Sequence, residues 1–319
     1  MKALVVSALS PDLSGTALAE VPVPAPRAGQ VLIRVRAAAL NYPDLLMTRG
    51  DYQLKPPLPF MPGMEVAGEV VSGDGFAPGE AVVAGTRLGG FAELVAVDAG
   101  AVRRKPDCLS FAQAACVGAV YLTAYVALVR LARVEAGEWV LVHGATGGVG
   151  WATVDLARAL GARVIATGRD RAKLDLLARD LPTEATLTVP GFRERVKEIT
   201  GGGADVIVDP VGGDVFDESV RCVAFGGRLL VVGFTSGRIA DVSTNMPLIK
   251  GFSVIGVRAG EYGRRFPHKG RENVDAIWRL AEQGHLTPRV DQEIPLGRWR
   301  DAFEAMRDSR LVGKLVLVP

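Results

Sequence analysis

Along residues 31–40, VLIRVRAAAL, apolar and charged side chains alternate, so that Ile33 and Val35 face one side and Arg34 and Arg36 the other. This period of two predicts a half-solvated strand of an antiparallel sheet or barrel. The opening MKALVVSALSP reads as a first strand. KPPLPFMPGMEVAGEVVSGDGFAPGEAVVAG sets prolines and glycines between further short apolar runs. The first third of the chain therefore predicts a small β-barrel rather than a helical domain.

From about Glu138 the rhythm changes. WVLVHGA reads as a buried strand, GVGWATVDLARALG as a helix with Val149, Thr153, Leu156 and Leu160 on one face, and ARVIATG as the next strand. RAKLDLLARD and FRERVKEITGG give two more helices, ADVIVDP a strand, DVFDESVRCVAFGG a helix, and RLLVVGF and FSVIGV two more strands. Repeated strand–helix units imply a mainly parallel, doubly wound sheet with helices on both faces. After Val257 the pattern breaks into a basic loop, one or two helices and a final strand, KLVLVP.

Composition narrows this picture. A length of 319 residues suggests two domains, and 49% hydrophobic against 23% charged residues excludes disorder as the main description. Lys and Arg number 37 against 35 Asp and Glu, a net charge of +2 that supplies no electrostatic footprint for nucleic acid or an anionic membrane. Cys108, Cys116 and Cys222 form neither a disulfide framework nor a close metal pair, and the start lacks a cleavage signal, so a soluble, cytoplasmic protein is expected. The uncharged stretch Cys108–Val129 carries Ser110, Gln113, Gly118 and Thr123 and lacks aromatic anchors, which predicts buried helices rather than a membrane span.

Glycine, at 38 residues, directs attention to where the backbone meets a ligand. VLVHGATGGVG, residues 140–150, leads from a strand into a helix, and its core Ala145-Thr146-Gly147-Gly148-Val149-Gly150 is A-x-G-x-x-G. In that context Gly147 lets the backbone approach a pyrophosphate at the helix N-terminus, while Gly150 lets the helix pack on the strand. The following strand ends in Gly168-Arg169 without the acid that holds both ribose hydroxyls of NAD. Arg169 and Lys173 can pair with a 2′-phosphate, and Asp170 suits a helix cap, so the cofactor expected is NADPH.

The ordered motifs ALNYPDLLMTRGDY, PFMPGMEVAGEVV, GGFAELVAV, YLTAYVALV, LVHGATGGVGWA, VIVDPVGGDVF, GRLLVVGFTSG and GKLVLVP span essentially the whole chain. Together they resemble the medium-chain dehydrogenase/reductase superfamily, and within it the zinc-independent, zeta-crystallin-like quinone oxidoreductases. The resemblance implies an α/β protein: a split GroES-like β-barrel catalytic domain over 1–120 and 258–319, and a Rossmann domain over 121–257. Zinc-dependent relatives carry a cysteine at the place of Asn41, a His-Glu pair at Met64-Glu65 and a third ligand near Ala119. An amide, a thioether and a methyl cannot assemble a zinc site. A strand ending in tyrosine, which often holds the adenosine phosphate in the family, is replaced here by ARDLPTEATLTVP.

The resemblance further implies that Asn41 faces the nicotinamide, that Tyr52 is a candidate donor to the substrate carbonyl, and that Tyr42 and Asp44 lie nearby. It assigns Thr123, Gly233, Phe234, Thr235, Val257 and Lys314 to the cofactor beside the glycine-rich loop, and a homodimer joined along Ser253–Val257. His143, Cys116 and Cys222 read as core residues. Without a metal, the expected reaction is hydride transfer from NADPH to an electron-poor acceptor, a quinone, with an enone or enoyl thioester as the alternative. GRRFPHKGR, residues 263–271, would suit the rim of a thioester site. It is also the sole support for an RNA-binding or structural role, which the near-zero net charge argues against.

Overall fold

The opening run folds as strand β1 (Lys2–Val6) against β2 (Thr16–Glu20), and the alternating segment becomes β3 (Gln30–Ala39). On β3 Val31, Ile33 and Val35 are buried and Arg34 and Arg36 exposed, as the period of two requires. The structure, a computed structural model, describes all residues, Met1–Pro319. A helix that the period-two reading did not anticipate, α1 (Tyr42–Arg49), follows directly. Its signals were present: proline in the first turn, Asp44 at the positive end, Arg49 at the negative end, and Gly50 at φ 79° to stop it.

Strands β4 (Glu65–Gly73), β5 (Ala81–Gly85), β6 (Leu94–Asp98) and β7 (Val102–Arg104) complete the first half of the barrel domain, all in antiparallel pairs. Helix α2 (Phe111–Ala115) is capped by Ser110, whose hydroxyl accepts from the Gln113 amide at 3.1 Å. The chain divides into one unit of Met1–Ala119 with Pro288–Pro319 and a second of Val120–Thr287. It passes into the second along α3 (Gly118–Tyr125), which continues as a π-helix, Val126–Ala132.

The second unit runs β8 (Trp139–Val142), α4 (Gly148–Ala159), β9 (Arg163–Gly168), α5 (Arg171–Asp180), β10 (Ala185–Thr188), α6 (Arg193–Thr200), β11 (Ala204–Asp209), α7 (Gly213–Ser219), β12 (Val223–Val231), α8 (Asn245–Lys250), β13 (Ser253–Gly256), α9 (Ala259–Arg265) and α10 (Pro267–Glu282). Its six strands are all parallel, in the order β10-β9-β8-β11-β12-β13. This is the dinucleotide-binding arrangement, whose order reverses between β8 and β11.

Two expectations change here. The helix expected over residues 214–227 stops at Ser219, because Val223 pairs with Ala204 and starts β12. The second crossing between units lies at Thr287/Pro288, not after Val257. Residues 258–287 stay with the parallel sheet because α10 buries Ile277, Trp278 and Ala281. Its Asn273 and Glu272 also hold Arg130 of the π-helix at 2.6 and 2.7 Å.

The chain returns to the first unit as β14 (Val290–Pro295), α11 (Trp299–Arg307) and β15 (Lys314–Val318). β15 inserts between β14 and β3. The core there gathers Leu4, Ile33, Val66, Phe91, Phe303 and Leu315, with Phe303 meeting Phe91 and Trp299 edge to face.

Candidate functional site

In the second unit, three of the expected segments meet a fourth, unanticipated one at the carboxyl ends of the strands. The glycine-rich loop leaves β8, Asp209–Gly212 leaves β11, Gly233–Thr235 leaves β12, and Val257 follows β13, its amide donating to Val231 O at 2.8 Å. Thr235 ties two of them together, since both its amide and its hydroxyl donate to Pro210 O at 3.1 Å. Within the loop, the Ala145 amide donates to Thr167 O at 2.9 Å, which fixes the loop to the end of β9.

The two fingerprint glycines have separable reasons. A Cβ on Gly150 would lie 2.1 Å from Gly144 O and 2.7 Å from Ala145 Cα, so α4 can approach the β8 end only through a glycine there. A Cβ on Gly147 would meet only Gly144 O, at 3.4 Å, and its φ of −83° suits any residue. The protein's own packing therefore does not demand Gly147. Gly148, Val149 and Gly150 form the first turn of α4, whose amides have no intrahelical acceptor and suit an anion. At the point where the strand order reverses, Asp209 takes the Val211 and Gly212 amides on Oδ1 at 2.7 and 2.9 Å, while its buried Oδ2 has no partner.

At the tip of β9, Gly168 is buried and Arg169 exposed and without an ion pair. Asp170 caps α5 by accepting from the Lys173 amide at 3.2 Å, as its position suggested. The neighbouring Arg171 is occupied by Asp175 at 3.0 Å.

The first unit holds a buried polar cluster. Lys314, on β15, donates from Nζ to Asn41 Oδ1 at 2.6 Å and to Glu65 Oε1 at 3.2 Å. Asn41 Nδ2 donates to the same Glu65 oxygen at 2.9 Å and to Ala39 O at 3.3 Å. Glu65 Oε2 accepts from the Ala119 amide at 2.8 Å. Asp44 takes the Asn41 and Gly63 amides at 2.9 and 3.0 Å, and its full burial pushes its pKa up to about 7. The ammonium and the carboxylate together fix which way the Asn41 amide points. Glu65 and the Ala39 carbonyl take both of its donor hydrogens, and the Lys314 ammonium leaves one lone pair on Oδ1. A zinc ion would find here a pre-empted amide and an adjacent ammonium, while Met64 packs on the apolar cluster of Val6, Met47 and Phe60. Those donors do not fit zinc.

Other residues take less exposed roles. Tyr52 lies beyond α1 and packs on Val6, Met47 and Phe60. Thr123 lies on α3. His143 is fully buried against Phe192, with Nδ1 2.7 Å from Thr167 Oγ1 and Nε2 2.8 Å from Ser219 Oγ. Because the Ser219 hydroxyl donates to Val215 O, Nε2 must carry the imidazole proton. Burial holds His143 neutral, with its pKa pushed down to about 3. Burial likewise pushes the Cys116 and Cys222 thiols up to about 12, which suits inert core residues. In the basic segment, Arg264 and Arg265 both engage Glu261, and His268 lies 2.9 Å from Glu272. No helix is long and apolar enough to cross a membrane.

The buried acids are what the sequence conceals. Asp44 and Glu65 entered only through the family resemblance, and Asp155, on α4, sits unmarked within a helix. Asp155 is buried, and Oδ2 accepts from the Tyr121 hydroxyl at 2.7 Å and the Thr287 amide at 2.6 Å. A lone acid inside the apolar run WATVDLARAL was the available signal.

Comparison with known proteins agrees with this architecture. A family model described as alcohol dehydrogenase GroES-like domain matches residues 27–107, and one described as zinc-binding dehydrogenase matches residues 148–279. The quinone oxidoreductase-like protein 2 homolog of Nematostella vectensis is 36% identical over 299 residues, covering 90% of this chain and 81% of its own. The quinone oxidoreductase of Homo sapiens is 32% identical over 307 residues, with 94% and 92% covered. Among solved structures, the quinone oxidoreductase from Thermus thermophilus, also determined in complex with NADPH, superposes with a TM-score of 0.88 at 33% identity, covering 100% of both chains. The chain belongs to the quinone oxidoreductase family of the medium-chain dehydrogenase/reductase superfamily.

Proposed function

We propose that this protein reduces quinones with NADPH and without zinc. The observation that supports the reading is the Lys314–Asn41–Glu65 cluster, a fixed ammonium and a committed amide around Asn41, the position at which the resemblance puts a zinc-ligating cysteine in zinc-dependent relatives. Without a Lewis acid to polarise an alcohol or a simple ketone, the acceptor must already be electron-poor. NADPH as donor is supported by a Gly147 that the protein's own packing does not demand, by the acid-free tip of β9 with its exposed Arg169, and by similarity to the Thermus thermophilus protein solved with NADPH.

When bound, the cofactor supplies a hydride from its nicotinamide ring. The first-turn amides of α4 and the bare backbone at Gly147 hold the pyrophosphate, and Arg169 and Lys173 pair with the 2′-phosphate. Asn41, with no free donor, serves as an acceptor from the carboxamide end of the ring. Hydride addition to a quinone yields a hydroquinone anion, which takes its proton from water, so the reaction needs no acid from Tyr52. An enoyl thioester is less favoured because Arg264 and Arg265 of the basic segment are engaged by Glu261.

We extend the reading to a homodimer. Strand β13 ends the parallel sheet with one edge unpaired, and Val254 on it is exposed, as are Phe225, Leu248 and Ile249. A second copy adding its own β13 would cover that edge. Sedimentation should show a stable dimer; a monomer at micromolar concentration would refute this part.

The decisive test is a panel of para-quinones, enones and enoyl thioesters, each with NADPH and NADH, on chelator-treated protein. NADPH oxidation with a quinone is expected to survive chelation. Turnover that returns only with added zinc, or that is as good with NADH, would overturn the reading.

A further inference from the structure

The chain enters the second unit at Ala119/Val120 and leaves it at Thr287/Pro288. Tyr121 sits just inside the first crossing and Thr287 is the last residue before the second. Both donate to one atom, Asp155 Oδ2, at 2.7 and 2.6 Å. One turn earlier on the same face of α4, Trp151 Nε1 donates to Thr287 O at 2.9 Å, so both backbone polar groups of Thr287 are held. Asp155 and Trp151 are each 2% exposed. The helix that makes these bonds begins at Gly148, on the glycine-rich loop.

We propose that Asp155, assisted by Trp151, is a positioning residue that locks both connecting segments to the cofactor-loop helix, so that hydride transfer depends on it while cofactor affinity does not. This rests on the NADPH reading given above. A helix that holds the pyrophosphate at one end and both connections along its side makes one rigid block of them. Whatever motion accompanies turnover then turns on peptides outside Tyr121 and Thr287. Hydride transfer is sensitive to such registration, since a misplacement of about 1 Å by a remote change can cost on the order of a hundredfold in rate. The pyrophosphate contacts, made at the helix start, are untouched by the same change. Asparagine at this position keeps an oxygen able to accept both bonds, whereas alanine keeps none.

The experiment compares Asp155→Ala, Asp155→Asn and Tyr121→Phe with wild type in three measurements: NADPH affinity by fluorescence, kcat with a para-quinone, and amide hydrogen exchange of the cofactor-free protein. Asp155→Ala should lower kcat by about tenfold or more while the NADPH Kd stays within about threefold. Peptides over residues 118–125 and 284–290 should exchange faster, with β8 and β11 unchanged. Asp155→Asn should restore both kcat and protection. Tyr121→Phe, which removes one bond without creating a large cavity, should give a smaller loss of kcat in the same direction and covers the case in which Asp155→Ala does not fold. The proposal fails if any soluble variant lacking these bonds keeps wild-type kcat. It also fails if exchange rises uniformly over the unit, or if cofactor affinity and kcat fall in parallel. A wild type that does not bind NADPH would instead sink the cofactor reading, and the exchange measurement would still judge the lock.

Discussion

Alanine substitutions at Gly147 and Gly150 should separate cofactor recognition from folding. At Gly150 the new methyl would sit 2.1 Å from Gly144 O and 2.7 Å from Ala145 Cα, both backbone atoms that cannot swing aside. Overpacking usually costs about 1–3 kcal/mol, and a clash with backbone on two sides belongs at or above the top of that range. For a unit of this size that lowers Tm by roughly 6–12 °C. At Gly147 the methyl meets only an ordinary 3.4 Å contact and an allowed backbone, so the cost is under about 1 kcal/mol, that of a poorer N-cap. Calorimetry with and without NADPH reads both effects. Gly150→Ala should lose stability in the free protein. Gly147→Ala should melt near wild type when free but lose most of the upward Tm shift that NADPH gives, reflecting affinity weakened by about tenfold or more. Undiminished NADPH stabilisation of Gly147→Ala would refute the view that this glycine is kept for the pyrophosphate.

Three further outcomes follow from the geometry. Lys314→Met strands the buried Glu65 carboxylate and should cost about 3–5 kcal/mol in urea titrations, with part recovered by adding Glu65→Gln; an additive double variant would deny the coupling. Asp44 has a folded pKa of about 7 against 3.8 unfolded, so the stability it confers is complete below about pH 4, falls as pH rises to 7, and is then flat. The difference in unfolding free energy between wild type and Asp44→Asn should therefore shift by about 4 kcal/mol between pH 4 and 8; a difference that does not change with pH would contradict the buried, protonated carboxyl. Arg169→Ala should weaken NADPH by about tenfold or more and leave NADH nearly unchanged, measured as Kd; equal losses for both would remove Arg169 from phosphate recognition.

How far the sequence reveals this site depends on the distance over which each part is encoded. The glycine-rich loop and the β9 tip are legible because backbone turns and caps are local: Gly150 and Asp170 each act within a few residues of themselves. The Asn41 cluster is not, since its ammonium comes from 273 positions away and no periodicity announces that two strands will lie side by side. Lys314 stands out as a tail residue, yet its partner follows only from β15 pairing with β3. The same holds for Asp155, whose partners lie 34 and 132 positions distant. Helix α1 escapes for a different reason: its eight residues are too few for a convincing period, although its end signals are all present. The helix overrun past Ser219 reverses that error, local pattern yielding to the pairing of Val223 with Ala204.

The place of β15 in its sheet bears on how the chain is made. It lies between β14 and β3 rather than at an edge, and it delivers Lys314 to Asn41 and Glu65. During synthesis the second unit, one continuous stretch over Val120–Thr287, has all its strands available as soon as it emerges. The first unit begins earlier yet finishes later: until residues 314–318 have been made, β3 lacks a neighbour and Glu65 lacks its cation. The first unit is thus the last to close, and the Ala38–Ala39 end of β3 spends the intervening time as an open edge of the kind that chaperones protect.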